Sequence, residues 1–136
     1  MQEVTDIAQF RSERFAPALP EECQVNPKVY GAELAYWLAA ALARRGVGTS
    51  YPESEDWGWF IEYSGESGAE FAVHCCNLDG SRDQWMLSLR RYGRKLLGRD
   101  KPPLSAASSL ISGISAVLRE ESSVSELRWL FPEHAG

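Results

Sequence analysis

Between Glu55 and Arg90 the chain alternates apolar and polar residues three times, with turn-forming residues between the runs. This pattern constrains the fold more than any other feature, because successive side chains of a strand point to opposite faces and a period of two fits no helix. In the first run Trp57, Trp59, Ile61 and Tyr63 share one face while Gly58, Phe60 and Glu62 share the other. In the second, Phe71, Val73 and Cys75 alternate with Ala72, His74 and Cys76; in the third, Trp85, Leu87 and Leu89 alternate with Met86, Ser88 and Arg90. Ser64 to Gly68 and Asp79-Gly80 supply turns short enough to make the three strands antiparallel neighbours. One face of such a meander is a core face. The other mixes rings, carboxylates and cations, and is either a half-solvated surface or a binding surface.

Helical periodicity flanks the meander. Asn26-Pro27 reads as a helix start, with Asn accepting from first-turn amides and Pro giving up a donor that has no partner there. From it Tyr30, Leu34, Trp37, Leu38, Ala41 and Leu42 make one apolar stripe, and Arg44, Arg45 and Gly46 make a favourable C-terminus. The acidic stretch Glu53 to Asp56 reads as a loop entering the first strand. After the meander, Leu104, Ala107, Leu110, Ile111, Ile114, Val117 and Leu118 predict a second helix to about Glu120. Gly113 inside it points to close approach to the sheet or to the first helix. Ser123 and Glu126 have capping-box spacing for a short last helix from Val124 to Leu130, ended by Pro132. Residues 1–25 show no clean period and are an extended arm or an extra strand. The expected fold is α+β, in α-β-β-β-α order: a two-layer sandwich of two helices on one face of a three- or four-stranded antiparallel sheet.

Length and composition fit one domain spanning 1–136, since 136 residues bury one core of ordinary size and not two. With 44% hydrophobic and 24% charged residues, the chain belongs with globular proteins and not with disordered ones. No run reaches the roughly 18 apolar residues that span a bilayer, and the start of the chain lacks the apolar segment of a secretory signal, so a cytoplasmic protein without membrane association is expected. Three cysteines, an odd number, fit reduced thiols better than a disulfide framework, with a covalently paired dimer as the alternative. A monomer or a homodimer is expected. The net charge of −5 disfavours nonspecific nucleic-acid binding and favours a basic partner.

The motifs Asn26-Pro27, Tyr30-Gly31, Glu55-Asp56-Trp57-Gly58-Trp59 and Leu127-Arg128-Trp129 occur in this order and cover most of the chain. In them the chain resembles a group of small bacterial proteins of unassigned function. The resemblance implies a bacterial cytoplasmic single domain, and it assigns no residue a role.

Chemistry has few candidates. Glu62, His74 and Arg90 come from three successive strands onto one face, where a carboxylate could orient or charge the imidazole and an arginine could hold an anion. Cys76 could act as a nucleophile beside His74. The bland alternative is that these are polar residues of a solvated sheet face, pairing across strands for a few tenths of a kcal/mol. His74 and His134 lack metal-ligand spacing with the cysteines, and neither phosphate-binding glycine pattern is present, so no metal and no cofactor are expected. The basic cluster Arg90 to Lys101, with Tyr92 inside it, could bind phosphate backbones, but it reads better as a solvated connector. Phe60, Glu62, Met86 and Trp129 are the protein-binding candidates, the large apolar ones among them lying outside the main stripes. The reading that follows is a noncatalytic protein-binding module, of adaptor or toxin-immunity type. The alternatives are a small enzyme using Glu62, His74 and Arg90, and a weak nucleic-acid binder.

Overall fold

A computed structural model describes residues 3–16, 30–55, 58–65, 70–92 and 104–129. The chain is α+β, with strands β1 (Glu3–Arg11), β2 (Glu53–Glu55), β3 (Gly58–Ser64), β4 (Glu70–Asn77), β5 (Gln84–Tyr92) and β6 (Ser125–Trp129) in one sheet. Helix α1 (Ala32–Arg44) lies between β1 and β2, and a 3-10 turn (Leu104–Ala107) leads into α2 (Ser108–Glu120) before β6. The strand order is β2-β3-β4-β5-β1-β6, and every pairing is antiparallel.

The expected meander is present as β3, β4 and β5. Three further strands extend it, so the expected count of three or four and the α-β-β-β-α order are both corrected. β1 is a nine-residue strand next to β5. A register shift between Asp6 and Ala8 breaks its period of two, which is why the first residues show no clean alternation. β6 replaces the expected last helix. Ser123 and Glu126 have capping-box spacing but other partners: Ser123 Oγ lies 2.8 Å from Ser12 Oγ, and the Glu126 carboxylate accepts from Arg11 Nε at 3.0 Å. Glu53 to Glu55, expected as loop, form the edge strand β2.

On one face of the sheet Ala8, Phe10, Ile61, Phe71, Val73, Cys75, Trp85, Leu87 and Leu89 are buried together with the apolar stripes of both helices. Leu34, Leu38, Ala41 and Leu42 come from α1, and Leu110, Ile111, Ile114, Val117 and Leu118 from α2. Removing this much apolar surface from water is the main stabilising term. Trp85 is fully buried among these residues, and its indole Nε1 donates to the Ser12 carbonyl at 2.9 Å, so the polar atom of this large buried side chain has a partner.

The C-terminus of α1 is the expected one. Gly46 takes a φ of 85°, and the amides of Gly46 and Val47 donate to the carbonyls of Ala43 and Leu42 at 3.0 and 2.9 Å, a Schellman closure. Its N-terminus is not. Tyr30 and Gly31 are already non-helical, Gly31 is the N-cap, and Asn26-Pro27 lies outside the described residues. Gly31 has a φ of 149°, and a Cβ built on it would stand 2.3 Å from the Cys75 carbonyl oxygen, so only glycine lets the helix entry lie against β4. Gly113 does mark close approach to the first helix: its Cβ would meet Leu42 Cδ2 at 2.9 Å.

Candidate functional site

Strand register lays out the second face of the sheet in rows. Phe60, His74 and Ser88 form one row across β3, β4 and β5. In the next, Ala72 stands between Glu62 and Arg90. Cys76, Met86, Gln9 and Arg128 form a third row that reaches β6. Glu62, His74 and Arg90 therefore share a face, as their spacing requires. Glu62 and Arg90 are two strands apart, roughly 10 Å at ordinary sheet spacing, and His74 is diagonal to both.

This face is not an open, solvated one at its centre, because Ala72, His74 and Ser88 are all buried. The burial decides the chemistry of His74. Desolvation and, after it, the charge of Arg90 push its pKa down to about 3, so the imidazole is neutral throughout the physiological range. A carboxylate that charged it would have the opposite effect. A base this weak is poorly matched to proton abstraction near neutrality. Cys76 is half-buried and stands two residues from His74 on the same strand, roughly 7 Å along the backbone. Cys75 points to the core, where burial pushes its thiol up and holds it protonated.

The four binding candidates do not make one patch. Glu62 is exposed, and Phe60 and Met86 are half-buried on the second face. The Phe60 ring lies 6.1 Å from the His74 ring, and Gln9 Nε2 reaches the Met86 sulfur at 3.7 Å. Trp129 pairs with Ala8 and packs against the core on the helix side, with its indole Nε1 buried and without an acceptor among the described residues. Of the basic cluster, Arg90 and the backbone of Arg91 and Tyr92 belong to β5, and Gly93 to Lys101 lie outside the described residues.

A pocket of about 210 Å³ opens at the β6 end of the same face, lined by Gln9, Arg11, Leu78, Gln84, Glu126 and Arg128 among others. Its central cation is already held: Arg11 Nη1 donates to Asp83 at 2.7 Å and Arg11 Nε to Glu126 at 3.0 Å. Hydrogen bonding and the charge of Asp83 raise the arginine's pKa, and the Ser81 hydroxyl, together with Arg11, lowers that of Asp83. The cluster ties β1, β6 and the β4–β5 turn together, and is better suited to joining elements than to receiving an anion.

The exposed large hydrophobic side chains among the described residues lie elsewhere. Tyr51 is 87% exposed and Tyr36 is 54% exposed. Both border β2. Tyr51 is in the segment leading into it, where the Ser50 amide donates to the Glu62 carbonyl at 2.9 Å and the Glu62 amide to Ser50 Oγ at 2.9 Å. Tyr36, on α1, has its ring 6.3 Å from that of Trp59, the residue opposite Ser54 of β2. Neither is among the residues singled out by the sequence patterns, yet both carry a signal there: Tyr36 falls outside the apolar stripe of α1, and Tyr51 is an aromatic in a Gly-, Ser- and Pro-rich loop beside carboxylates.

Among the described residues no three His, Cys, Asp or Glu side chains are grouped as a metal site, and no helix is long and apolar enough to cross a membrane. No family model, curated protein or solved structure matches the chain.

Proposed function

We propose that this protein is a small noncatalytic protein-binding module of the cytoplasm, of adaptor or toxin-immunity type. Its two helices and sheet serve as a two-layer scaffold, and it engages its partner at the β2 end of the molecule. One observation carries the reading: the two exposed large aromatics among the described residues, Tyr36 and Tyr51, border one edge strand whose residues are all exposed. Tyrosine combines a large apolar area with a polar tip and little conformational entropy, and it is enriched at the residues that dominate interfaces. The centre of the second face supports catalysis less well, since its histidine is buried and weakly basic.

Co-purification from the source cells tests the reading, with the wild-type chain and a Tyr36→Ala/Tyr51→Ala variant as baits. Both residues are exposed, so the variant keeps the wild-type circular dichroism and melting behaviour. A partner retained by the wild type and lost by the folded variant is the expected result. Recovery of no partner, or equal recovery by both baits, refutes it.

A further inference from the structure

We propose that two copies of this chain associate through their β6 edges, as an antiparallel pair centred on Leu127 that joins two six-stranded sheets into one. In that register Glu126 of each copy faces Arg128 of the other. This association is separate from the protein-binding reading, which concerns the opposite end of the sheet.

The first ground is the place of β6. It ends the strand order at the far side from β2, and among the described residues its strand neighbour is β1 alone. The outward amides and carbonyls of an end strand are satisfied by a further strand. Leu127 and Trp129 are half-buried and pack against the core on the helix side, so an added strand also covers apolar area that they still expose.

The second ground is the order of charges. Glu126 and Arg128 are both exposed and both line the pocket on the second face, with Leu127 between them on the helix side. An antiparallel pair closed by a twofold axis at Leu127 sets each Leu127 against its copy and each carboxylate against a guanidinium. Arg128 has no ion pair among the described residues, and the bond from Arg11 Nε to Glu126 engages Oε2 and leaves Oε1. The two neighbouring registers that keep the faces aligned put Glu126 on Glu126 or Arg128 on Arg128, and a slip of one residue exchanges the faces. Charge therefore selects one register.

The strength follows from the same geometry. β6 has five residues, and the register shift that sets Glu126 and Leu127 together opposite Phe10 bends its edge. Both features limit edge pairing, and so short an edge covers less than the roughly 1,200 Å² of a standard interface, so the dimer is weak, with a dissociation constant of about 10–100 μM. Each copy carries a net charge of −5, but at about 0.15 M salt that repulsion is screened beyond roughly 8 Å, whereas charges facing across paired strands stand about 5 Å apart. The joined sheet keeps β2 at both of its outer ends, so the dimer presents the proposed partner site twice and binds a repeated partner with avidity.

Sedimentation equilibrium of the full-length chain at about 0.15 M salt, from about 5 μM to about 500 μM, tests this. The weight-average mass of the wild type should rise from the 15.2 kDa of one chain towards twice that value. Glu126→Lys alone and Arg128→Glu alone each oppose like charges twice in the pair, and each should weaken it at least about tenfold. An equimolar mixture of the two variants faces every introduced charge with its opposite and should recover dimers, which a merely structural defect in either variant would not do. Both positions are exposed and Arg11 keeps Asp83 in either variant, so both retain the wild-type circular dichroism. The Tyr36→Ala/Tyr51→Ala variant, changed at the other end of the sheet, should dimerise as the wild type does. A wild type that stays monomeric throughout, single variants that dimerise as well as the wild type, a mixture that stays monomeric, or loss of the dimer in the tyrosine variant overturns the proposal.

Discussion

Acidification between pH 6.5 and pH 5 should destabilise the protein through His74, and replacing that residue with glutamine should remove that contribution. His74 is only 4% exposed, and burial together with the Arg90 charge lowers its pKa from 6.5 to about 3. In the unfolded chain the imidazole is solvated and titrates near its ordinary value of about 6.5. A base whose folded pKa is depressed binds its proton first in the unfolded state, so stability is constant above that value and falls as the pH drops below it. The fall is about 1.4 kcal/mol per pH unit and continues until the folded-state pKa is reached. Between pH 7.5 and pH 5 only the last 1.5 units or so contribute, which gives a loss of about 2 kcal/mol, a large share of an ordinary folding free energy.

Urea unfolding followed by tryptophan fluorescence at pH 7.5, 6.5, 5.5 and 5 measures this loss directly, as a shift of midpoint at constant slope. The lower limit keeps Asp83 and Glu121 out of the window. Asp83 is held below the usual range by the Ser81 hydroxyl and by Arg11. At Glu121 burial is outweighed by hydrogen bonds from Ser123 and Arg14. Stability from such depressed carboxylates is present above their unfolded values and is lost only as the pH falls below about 4.5. A His74→Gln chain loses some packing against Phe60 at every pH, so its absolute stability is not the readout; its slope is. A wild type equally stable at pH 6.5 and pH 5, or a glutamine variant that declines as steeply, refutes the assignment.

Two further substitutions weigh backbone and packing against each other. Gly31→Ala combines a φ of 149° with a Cβ that would stand 2.3 Å from a backbone oxygen, and should cost about 3 kcal/mol or more in thermal unfolding, whereas Gly48→Ala, with open space around it, should change stability by about 0.5 kcal/mol or less. Gly113→Ala gains about 1 kcal/mol of helix propensity and loses a similar amount by pressing on Leu42 Cδ2, the movable end of a side chain at 2.9 Å; urea unfolding should place it within about 1 kcal/mol of wild type, with Gly113→Val clearly below both.

The fold was legible in the sequence where the local pattern and the tertiary environment impose the same period. The stripes of α1 and α2 and the meander of β3 to β5 meet that condition. β1 and β6 do not: the register slips between Asp6 and Ala8 and again between Gln9 and Arg11, and Glu126 adopts a φ of 53°, so a period-two search sees fragments. At the site, alternation put Glu62, His74 and Arg90 on one face. It could not show that His74 would be buried, because burial depends on what packs over a residue. Nor could it show that Tyr36 and Tyr51 would border the same edge, since that proximity depends on α1 lying over β3 and on Ser50 pairing with Glu62.

Two of the glycines that give the sequence its distinctive motifs answer to one junction. Gly31, after Tyr30, and Gly58, between two tryptophans, both approach the Cys75 carbonyl: Cβ atoms built on them would stand 2.3 and 3.1 Å from that oxygen. The Tyr30 amide donates to Asn77 Oδ1 at 3.0 Å, and Asn77 Nδ2 donates to the Ser81 carbonyl at 2.9 Å, so the entry to α1, the end of β4 and the following turn are joined in one chain of contacts. A side chain at either glycine would push α1 or β3 away from β4. The glycines of the Tyr-Gly and Trp-Gly-Trp motifs, Gly31 and Gly58, are thereby accounted for by packing. What packing leaves unaccounted for is an aromatic side chain almost wholly in solvent at Tyr51, next to a short strand whose residues are all exposed. Burial and internal hydrogen bonding explain the first set of residues and not the second, and it is at the second that a partner would add binding energy without disturbing the core.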